Sequence, residues 1–490
     1  MTPAQPPPVP PAAARFAQSL PAGQWSTDPA VVERHRLDRS GWNPAGRPLG
    51  VAFARTVAEV QAVLRAAAAT GVPLTVRGAG TGLAGGAAAP ADTVVLDLSR
   101  MNAIREISAA DAVAVVEPGV ITADLDAAAA SHGLRYTPDP ASVAISTIGG
   151  NIATNAGGLR CAKYGVTRDS ILALDVVLAD STLIHTGART VKHVAGYDLT
   201  SLFVGSEGSL GIIVGATVRL RPLPAATATL TARFASIEAA GHAVQAISAA
   251  GVLPSVAELL DGPTLAAIDH AAVAAAPETL WSESAGALLL LQTDGVGASG
   301  EADTIEAILA ETATDVARAD DPATAARLIA TRRAALPALE RLGRVLIEDI
   351  AVPRGALVEA FAGVAAIAEA TGVRIFTLAH AFDGNLHPII VTDPAAPGIP
   401  ADAWHAGEQI FRLALRLGGT VTGEHGIGVL KRRWLADELG GRNHRLQQDI
   451  RRLFDPAGLL GPGTADQFAG VPFGSAPSGA DPAVESRRTR

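Results

Sequence analysis

Two short motifs late in the chain concentrate the residues that can do chemistry. The first is His380-Ala381-Phe382-Asp383-Gly384-Asn385-Leu386-His387-Pro388, and the second is Gly423-Glu424-His425-Gly426-Ile427-Gly428. His380 closes an apolar run, VRIFTLAH, that reads as a strand, and an Asp-Gly turn follows it. Such a turn folds His387 back toward His380. Two imidazoles and a carboxylate make an open site for a divalent ion of the Zn or Mn type, with a position left for substrate. The spacing is not HExxH, which would set both histidines on one helix.

A third motif suits phosphate. Arg77-Gly78-Ala79-Gly80-Thr81-Gly82-Leu83-Ala84-Gly85-Gly86 follows the short strand pattern PLTVRG. Consecutive glycines let backbone N–H groups converge on an anion. Gly80–Gly85 also fits G-x-G-x-x-G. A Rossmann turn must open a helix, however, and here Ala87–Asp92 leads into a second strand pattern, VVLDLS, so that reading is rejected.

Further small-residue blocks follow in order: Pro138-Asp139-Pro140-Ala141-Ser142, Ser146-Thr147-Ile148-Gly149-Gly150-Asn151, Thr154-Asn155-Ala156-Gly157-Gly158 and Gly205-Ser206-Glu207-Gly208-Ser209-Leu210-Gly211-Ile212. Together with the glycine loop they resemble the flavin domain of the FAD-linked oxidases of the vanillyl-alcohol oxidase / p-cresol methylhydroxylase type. Within that family the chain resembles the group of D-lactate dehydrogenase, glycolate oxidase catalytic subunit and D-2-hydroxyglutarate dehydrogenase. The resemblance runs from about Arg55 to Phe468.

The resemblance implies roles for individual residues. Arg77, Gly78, Ala79, Gly80, Thr81 and Gly82 would cradle the FAD pyrophosphate. Pro138 (or Pro140 in its place), Ser142, Thr147, Gly149 and Gly150 would line the flavin, with Asn155 and Gly157 close by. Gly205–Ile212 would complete the cofactor site through Glu207, a cofactor-side acceptor, and through Gly211 and Ile212. The loop Gly78–Leu83 holds no His or Cys, so FAD is expected to be bound non-covalently. Cys161 is expected to pack as a small apolar residue near the cofactor.

In the second half, the family's H-x-G-D-G-N-x-H and G-E-H-G-x-G motifs map onto the histidine motifs. His380, His387 and Glu424 would be the metal ligands and His425 the catalytic base. Phe382 stands where the family usually has Gly, which bears on substrate size. A planar guanidinium can grip a substrate carboxylate by two parallel hydrogen bonds. Arg332, with Arg333 in reserve, resembles the family's carboxylate clamp upstream of the strand pattern VLIEDIAVP. Dicarboxylate-specific members carry a lysine at the position of Ile347, so the resemblance leans toward a short monocarboxylate.

The implied reaction moves a hydride from C2 of a 2-hydroxy acid, D-lactate or glycolate, to flavin N5, with the metal assisting. Electrons would leave to an external acceptor: quinone, cytochrome, electron-transfer flavoprotein, oxygen or an iron–sulfur subunit. Two rivals stay open. One is a flavin oxidase of another alcohol on the same fold, and the other is a non-catalytic FAD-binding subunit of a larger oxidase complex.

These motifs need a large scaffold. The chain has 490 residues, 48% hydrophobic and 18% charged, which is too long for one core and calls for two joined domains. Short strands alternate with short helices up to Arg221-Pro222-Leu223-Pro224; beyond it, strand–helix–strand recurrence predicts an antiparallel sheet. The expected class is α+β: a two-subdomain FAD-binding domain of the p-cresol methylhydroxylase type, a cap domain with an antiparallel sheet backed by helices, and a C-terminal helical segment. The expected division is 1–45 as an N-terminal arm, 46–224 as the FAD-binding domain, 225–400 as the substrate domain, 401–468 as a helical return toward the flavin, and 469–490 as a disordered tail.

The net charge of −9, from 39 basic and 48 acidic residues, excludes a nucleic-acid surface, and the single cysteine excludes an iron–sulfur cluster held by several cysteines. No apolar stretch is long enough to span a membrane and no secretory signal is evident. A cytoplasmic protein is expected, with peripheral membrane attachment and a homodimer left open.

Overall fold

The computed structural model describes residues 11–272, 286–319, 321–396 and 399–465. The tail expected at 469–490 and the start of the N-terminal arm lie outside the described residues. The chain forms two compact units: over the described residues the first takes 11–156, 166–223 and 425–465, and the second takes 157–165 and 224–424.

The first unit holds two main sheets and a two-stranded pairing of Leu134–Arg135 with Arg221–Pro222. Gly50–Phe53, Val94–Asp97 and Leu74–Arg77 are parallel neighbours, with Trp25–Ser26 antiparallel at the edge. The helix Val57–Thr70 crosses over between two of them. Its apolar spacing buries Val60, Val63, Leu64 and Ala67; Thr56 caps its start, and Gly71 ends it at φ 70°. The second sheet is antiparallel, in the order Ile104–Ser108, Val113–Val116, Ile212–Arg219, Ile171–Val177, Leu183–Gly187. One apolar core joins the first sheet and its helix to Val177, Ile212 and Val214 of the second sheet, and another lies within the second sheet's region.

The C-terminal segment closes the first unit. After the helix Leu435–Phe454, which breaks at Gly440 (φ 72°), Leu459 accepts the Leu74 N–H at 2.7 Å and Leu74 accepts the Gly461 N–H at 3.0 Å. Arg451 donates to the Leu460 carbonyl at 2.6 Å, and Asp455 accepts from Leu459 and Leu460 at 2.9 and 2.8 Å. These bonds drive the Leu460 side chain fully into the core.

The second unit is built on an antiparallel sheet. Its order is Asp315–Ala319, Thr227–Phe234, Ala287–Asp294, Val256–Asp261, Arg374–His380, Asn385–Thr392, Arg344–Ile347. Leu260, Leu288, Leu378, Ile389 and Val391 pack with Leu265 and Ile268 of the helix Gly262–Ala272 and with Ala335 and Leu339 of Pro322–Glu340. Alternation sends Leu259, Leu289 and Leu291 to the other face, where they are also fully buried. The helices Ile237–Ala249, Ala298–Leu309 and Leu357–Thr371 contact the sheet as well. The helix Ala401–Arg416, expected in the C-terminal return, lies in this unit, and the chain re-enters the first unit only at His425.

Two details of this sheet position the site. The expected strand VLIEDIAVP is interrupted: Arg344–Ile347 and Ile350–Ala351 both pair with Asn385–Thr392, and Glu348 and Asp349 fall between them. Arg374–His380 and Asn385–Thr392 form a hairpin with His380 opposite Asn385. Gly384 sits in its turn at φ 77°, where a Cβ would lie 2.0 Å from the Val352 carbonyl oxygen. Phe382 is buried and outside the left-handed region, so its bulk costs this turn nothing. Among the described residues no helix is long and apolar enough to cross a membrane.

The sealing role of the C-terminal segment is open to test. Leu460→Ala removes a fully enclosed side chain and should cost about 2–5 kcal/mol, read as a lowered denaturation midpoint of the first unit; an unchanged midpoint would contradict that role.

Candidate active site

Strand register creates the histidine cluster. His380 pairs with Asn385 and His387 with Leu378, which makes the two histidines diagonal neighbours on one sheet face. His387 Nε2 lies 3.3 Å from His380 Nε2. Glu424 Oε1 stands 3.3 Å from His387 Nε2 and 3.8 Å from His380 Nε2. Three donor atoms thus converge on one point. Donors about 2.1 Å from a tetrahedral ion stand about 3.4 Å apart, so this triangle has the dimensions of a divalent-metal site. The chemistry fits too, with two imidazoles and one carboxylate.

A second carboxylate lies behind the triangle. Glu258, on Val256–Asp261, is directly opposite His380 on the neighbouring strand. It is fully buried, with Oε1 2.5 Å from His380 Nδ1 and Oε2 accepting from Arg332 Nε at 2.6 Å. Arg332 reaches it because the helix Pro322–Glu340 packs its Ala335 and Leu339 face on this side of the sheet, and residue 332 is one turn earlier on that face. Arg333 points to solvent. Burial opposes the charge on Glu258, but His380 and Arg332 hold its pKa below the usual value. Burial would likewise depress His380, and the Glu258 carboxylate more than reverses this, leaving the imidazole well above its ordinary pKa. Burial, here only partial, opposes the charge on Glu424 too, yet His380 and His387 hold it far below the usual carboxylate range. Removing one member of a buried pair of this kind typically costs about 3–5 kcal/mol.

Asp349 orders the loop that delivers Glu424. Freed by the strand break and fully buried, its carboxylate accepts from Asn385 Nδ2 and Thr422 Oγ1, both at 2.7 Å. It also accepts from the N–H groups of Gly423 (2.9 Å) and Glu424 (3.0 Å). Gly157 packs against the far oxygen of Glu424, 2.4 Å from where a Cβ would stand. Its segment is pinned by Lys163, which donates to the Asp294 carboxylate and carbonyl at 2.6 and 2.7 Å, and by the Tyr164 hydroxyl at 2.8 Å. Cys161 lies beside Gly157 in this segment.

In the first unit the glycine-rich blocks converge. Gly78 abuts Thr147, Gly149 abuts Pro118, and Thr147 caps the short helix Ile148–Thr154 by accepting the Gly150 N–H at 3.2 Å. Among the described residues, no protein acceptor takes the backbone N–H groups of Gly78 through Leu83, which leaves a row of donors fit for a pyrophosphate. The Arg77 guanidinium donates to the Leu37 carbonyl at 2.7 Å and lies against Gly80, so it braces the loop.

The loop carrying His425 is built onto these blocks. Glu207 accepts from the N–H groups of Ile427 (2.7 Å) and Gly428 (3.0 Å). Ala84, in the glycine loop, accepts from Val429 (2.8 Å) and Leu430 (3.2 Å). Gly426 and Gly428 have positive φ, and a Cβ on either would strike Glu207 or Ala84. Burial pushes the Glu207 carboxyl up to about 7 against the pull of the Gly428 and Ile427 N–H groups. The carboxylate expected on the cofactor side thus holds the His425 loop.

Other motif residues have structural surroundings of their own. The Ile212 side chain is fully enclosed in an apolar core. Gly211 packs on Val176, leaving no room for a side chain. Gly157 serves the Glu424 carboxylate in the second unit. Asn155 takes the left-handed cap of its helix and accepts the Arg168 N–H at 2.9 Å. Pro138 is buried, and the Ser142 carbonyl closes the turn to Ser146. Glu258 and the bonding role of Asp349 were missed, and their one sequence signal is a carboxylate inside an apolar strand pattern, VAELL and VLIEDI.

Two family models match in order along the chain: residues 48–187 match the FAD binding domain, and residues 223–465 match FAD linked oxidases, C-terminal domain. The chain is 42% identical over 420 residues to the Glycolate oxidase subunit GlcD of Bacillus subtilis, covering 85% of this chain and 88% of that one. It is 35% identical over 409 residues to a D-lactate dehydrogenase of Archaeoglobus fulgidus, covering 83% and 88%. A crystal structure of p-cresol methylhydroxylase with substrate bound superposes with a TM-score of 0.76 over 93% of this chain and 96% of that one; at 17% identity this shows a common fold. The fold is therefore α+β with an FAD-binding domain of the p-cresol methylhydroxylase type. The chain belongs to the FAD-linked oxidase family and is an FAD-dependent oxidoreductase acting on CH–OH groups.

Proposed function

We propose that the protein is an FAD-dependent 2-hydroxy-acid dehydrogenase for a short monocarboxylate, glycolate or D-lactate, with FAD held non-covalently and a divalent ion of the Zn or Mn type. The observation that carries this reading is the donor triangle of His380, His387 and Glu424, backed by Glu258 and Arg332. The names of the relatives, a glycolate oxidase subunit and a D-lactate dehydrogenase, support the substrate class. In this reading 46–224 is the FAD-binding part, 225–400 the substrate part and 401–468 the returning segment.

Each residue then has a task. Arg332 spends its Nε on Glu258, which leaves its two terminal nitrogens for the substrate carboxylate. Ile347 packs beside the apolar core and brings no second cation, in keeping with a monocarboxylate. The divalent ion, when bound, would act as a Lewis acid on the substrate hydroxyl and carboxylate oxygens. His425 takes the hydroxyl proton, a task suited to an imidazole near neutral pH. Glu207 and Ala84 hold its loop, so the base is positioned before substrate arrives. FAD, when bound, would accept the hydride from C2, and the acid leaves as the 2-oxo acid. With one cysteine the chain holds no cysteine-ligated iron–sulfur cluster, so the electrons pass to an external acceptor. A relative named as a subunit supports a partner chain in that role.

Two variants test these assignments. His425→Ala should retain FAD and slow flavin reduction by glycolate or D-lactate about 10²–10⁴-fold in anaerobic stopped flow; reduction at the native rate would remove His425 as the base. Arg332→Ala removes two charge-assisted hydrogen bonds, worth about 1.5–3 kcal/mol each, and should raise KM about 100-fold or more. An unaltered KM would move the clamp elsewhere, first to Arg333.

A further inference from the structure

Glu258 is fully enclosed, and its two oxygens serve two different partners. Oε1 meets His380 Nδ1 at 2.5 Å, and Oε2 accepts from Arg332 Nε at 2.6 Å. The first contact sets the tautomer of His380: with Nδ1 carrying the proton, Nε2 presents its lone pair toward His387 and Glu424. The second contact fixes Arg332 by its inner nitrogen and leaves its outer pair available. Neither partner can move without exposing the other to an unbalanced buried carboxylate.

We propose that Glu258 is a positioning residue shared by the metal triangle and the substrate clamp, so that one carboxylate aims His380 at the ion and Arg332 at the substrate. The inference rests on the reading of His380, His387 and Glu424 as metal donors. The pair of Glu258 and Arg332 is neutral overall, which leaves Glu424 as the ligand whose charge faces the cation. Both partners of Glu258 donate. A glutamine keeps the shape but has one acceptor and one donor group, so it can satisfy only one of them.

The test uses full-length, FAD-loaded protein stripped of metal, with Zn²⁺ and Mn²⁺ binding followed by equilibrium dialysis and KM measured with glycolate and D-lactate. Glu258→Gln should weaken binding of the preferred ion about 10–100-fold, and KM should rise by a larger factor than kcat falls. Glu258→Asp keeps both acceptors on a shorter arm and should recover part of both losses. Native metal affinity in Glu258→Gln, or weakened affinity with an unchanged KM, would overturn the shared role. Should Glu258→Gln fail to fold, Glu258→Asp carries the test: metal affinity and KM must worsen together, and a native value of either overturns the proposal. Wild-type protein that binds neither ion would overturn the metal reading and this inference with it. Wild-type binding matched by Glu258→Gln would overturn only the role of Glu258.

Discussion

Two fully buried carboxylates, Glu258 and Asp349, and the half-buried Glu424 are folded into the second unit, and the cost of withdrawing them from water governs what surrounds them. Each has a different set of partners. Asp349 accepts from backbone and side-chain donors, with His387 Nδ1 3.9 Å away, which makes it a fixed point for the turn Thr422–Glu424. Glu258 is met by a guanidinium and an imidazole. Glu424 is met by two imidazoles, on the side where a cation would complete the balance. The interruption of one strand at Glu348 and Asp349 makes the arrangement possible, because a regular strand would send Asp349 back into the ladder.

The first unit answers a different constraint, close approach of glycine backbone to neighbouring side chains and backbone. Gly78 on Thr147, Gly149 on Pro118, and Gly426 and Gly428 on Glu207 and Ala84 leave no space for a Cβ. The glycine loop therefore has two duties. It offers a row of N–H donors, and it anchors the segment that carries His425. The anchoring duty reaches past Gly82 to Gly85, which touches Val429 and Trp42.

Local features were legible in the sequence and long-range pairings were not. The Asp-Gly turn and strand alternation place His380 beside His387, since both act within a few residues. The short strand leading into the glycine loop was equally plain, PLTVRG giving Leu74–Arg77. Glu258 was not, because its value depends on Val256–Asp261 lying beside a strand 122 residues later. Arg332 was reached by resemblance, while the helix face that delivers it shows only against the sheet. Ile212 and Gly157 stand in motifs that the resemblance assigns to the cofactor; the sequence did not show that the Ile212 side chain packs in an apolar core or that Gly157 lies against Glu424. Membership in a motif marks a constrained position without saying what constrains it.

The account stands or falls on whether a 2-hydroxy acid reduces the bound flavin with the help of a divalent ion. The measurement is an anaerobic absorbance titration of the FAD-loaded protein with glycolate, D-lactate, L-lactate and D-2-hydroxyglutarate, repeated after chelator treatment. The account predicts that glycolate or D-lactate bleaches the flavin band at far lower concentration than the dicarboxylate, and that chelation suppresses the bleaching until Zn²⁺ or Mn²⁺ is returned. A flavin that stays oxidised with all four acids in the metal-loaded protein would contradict it.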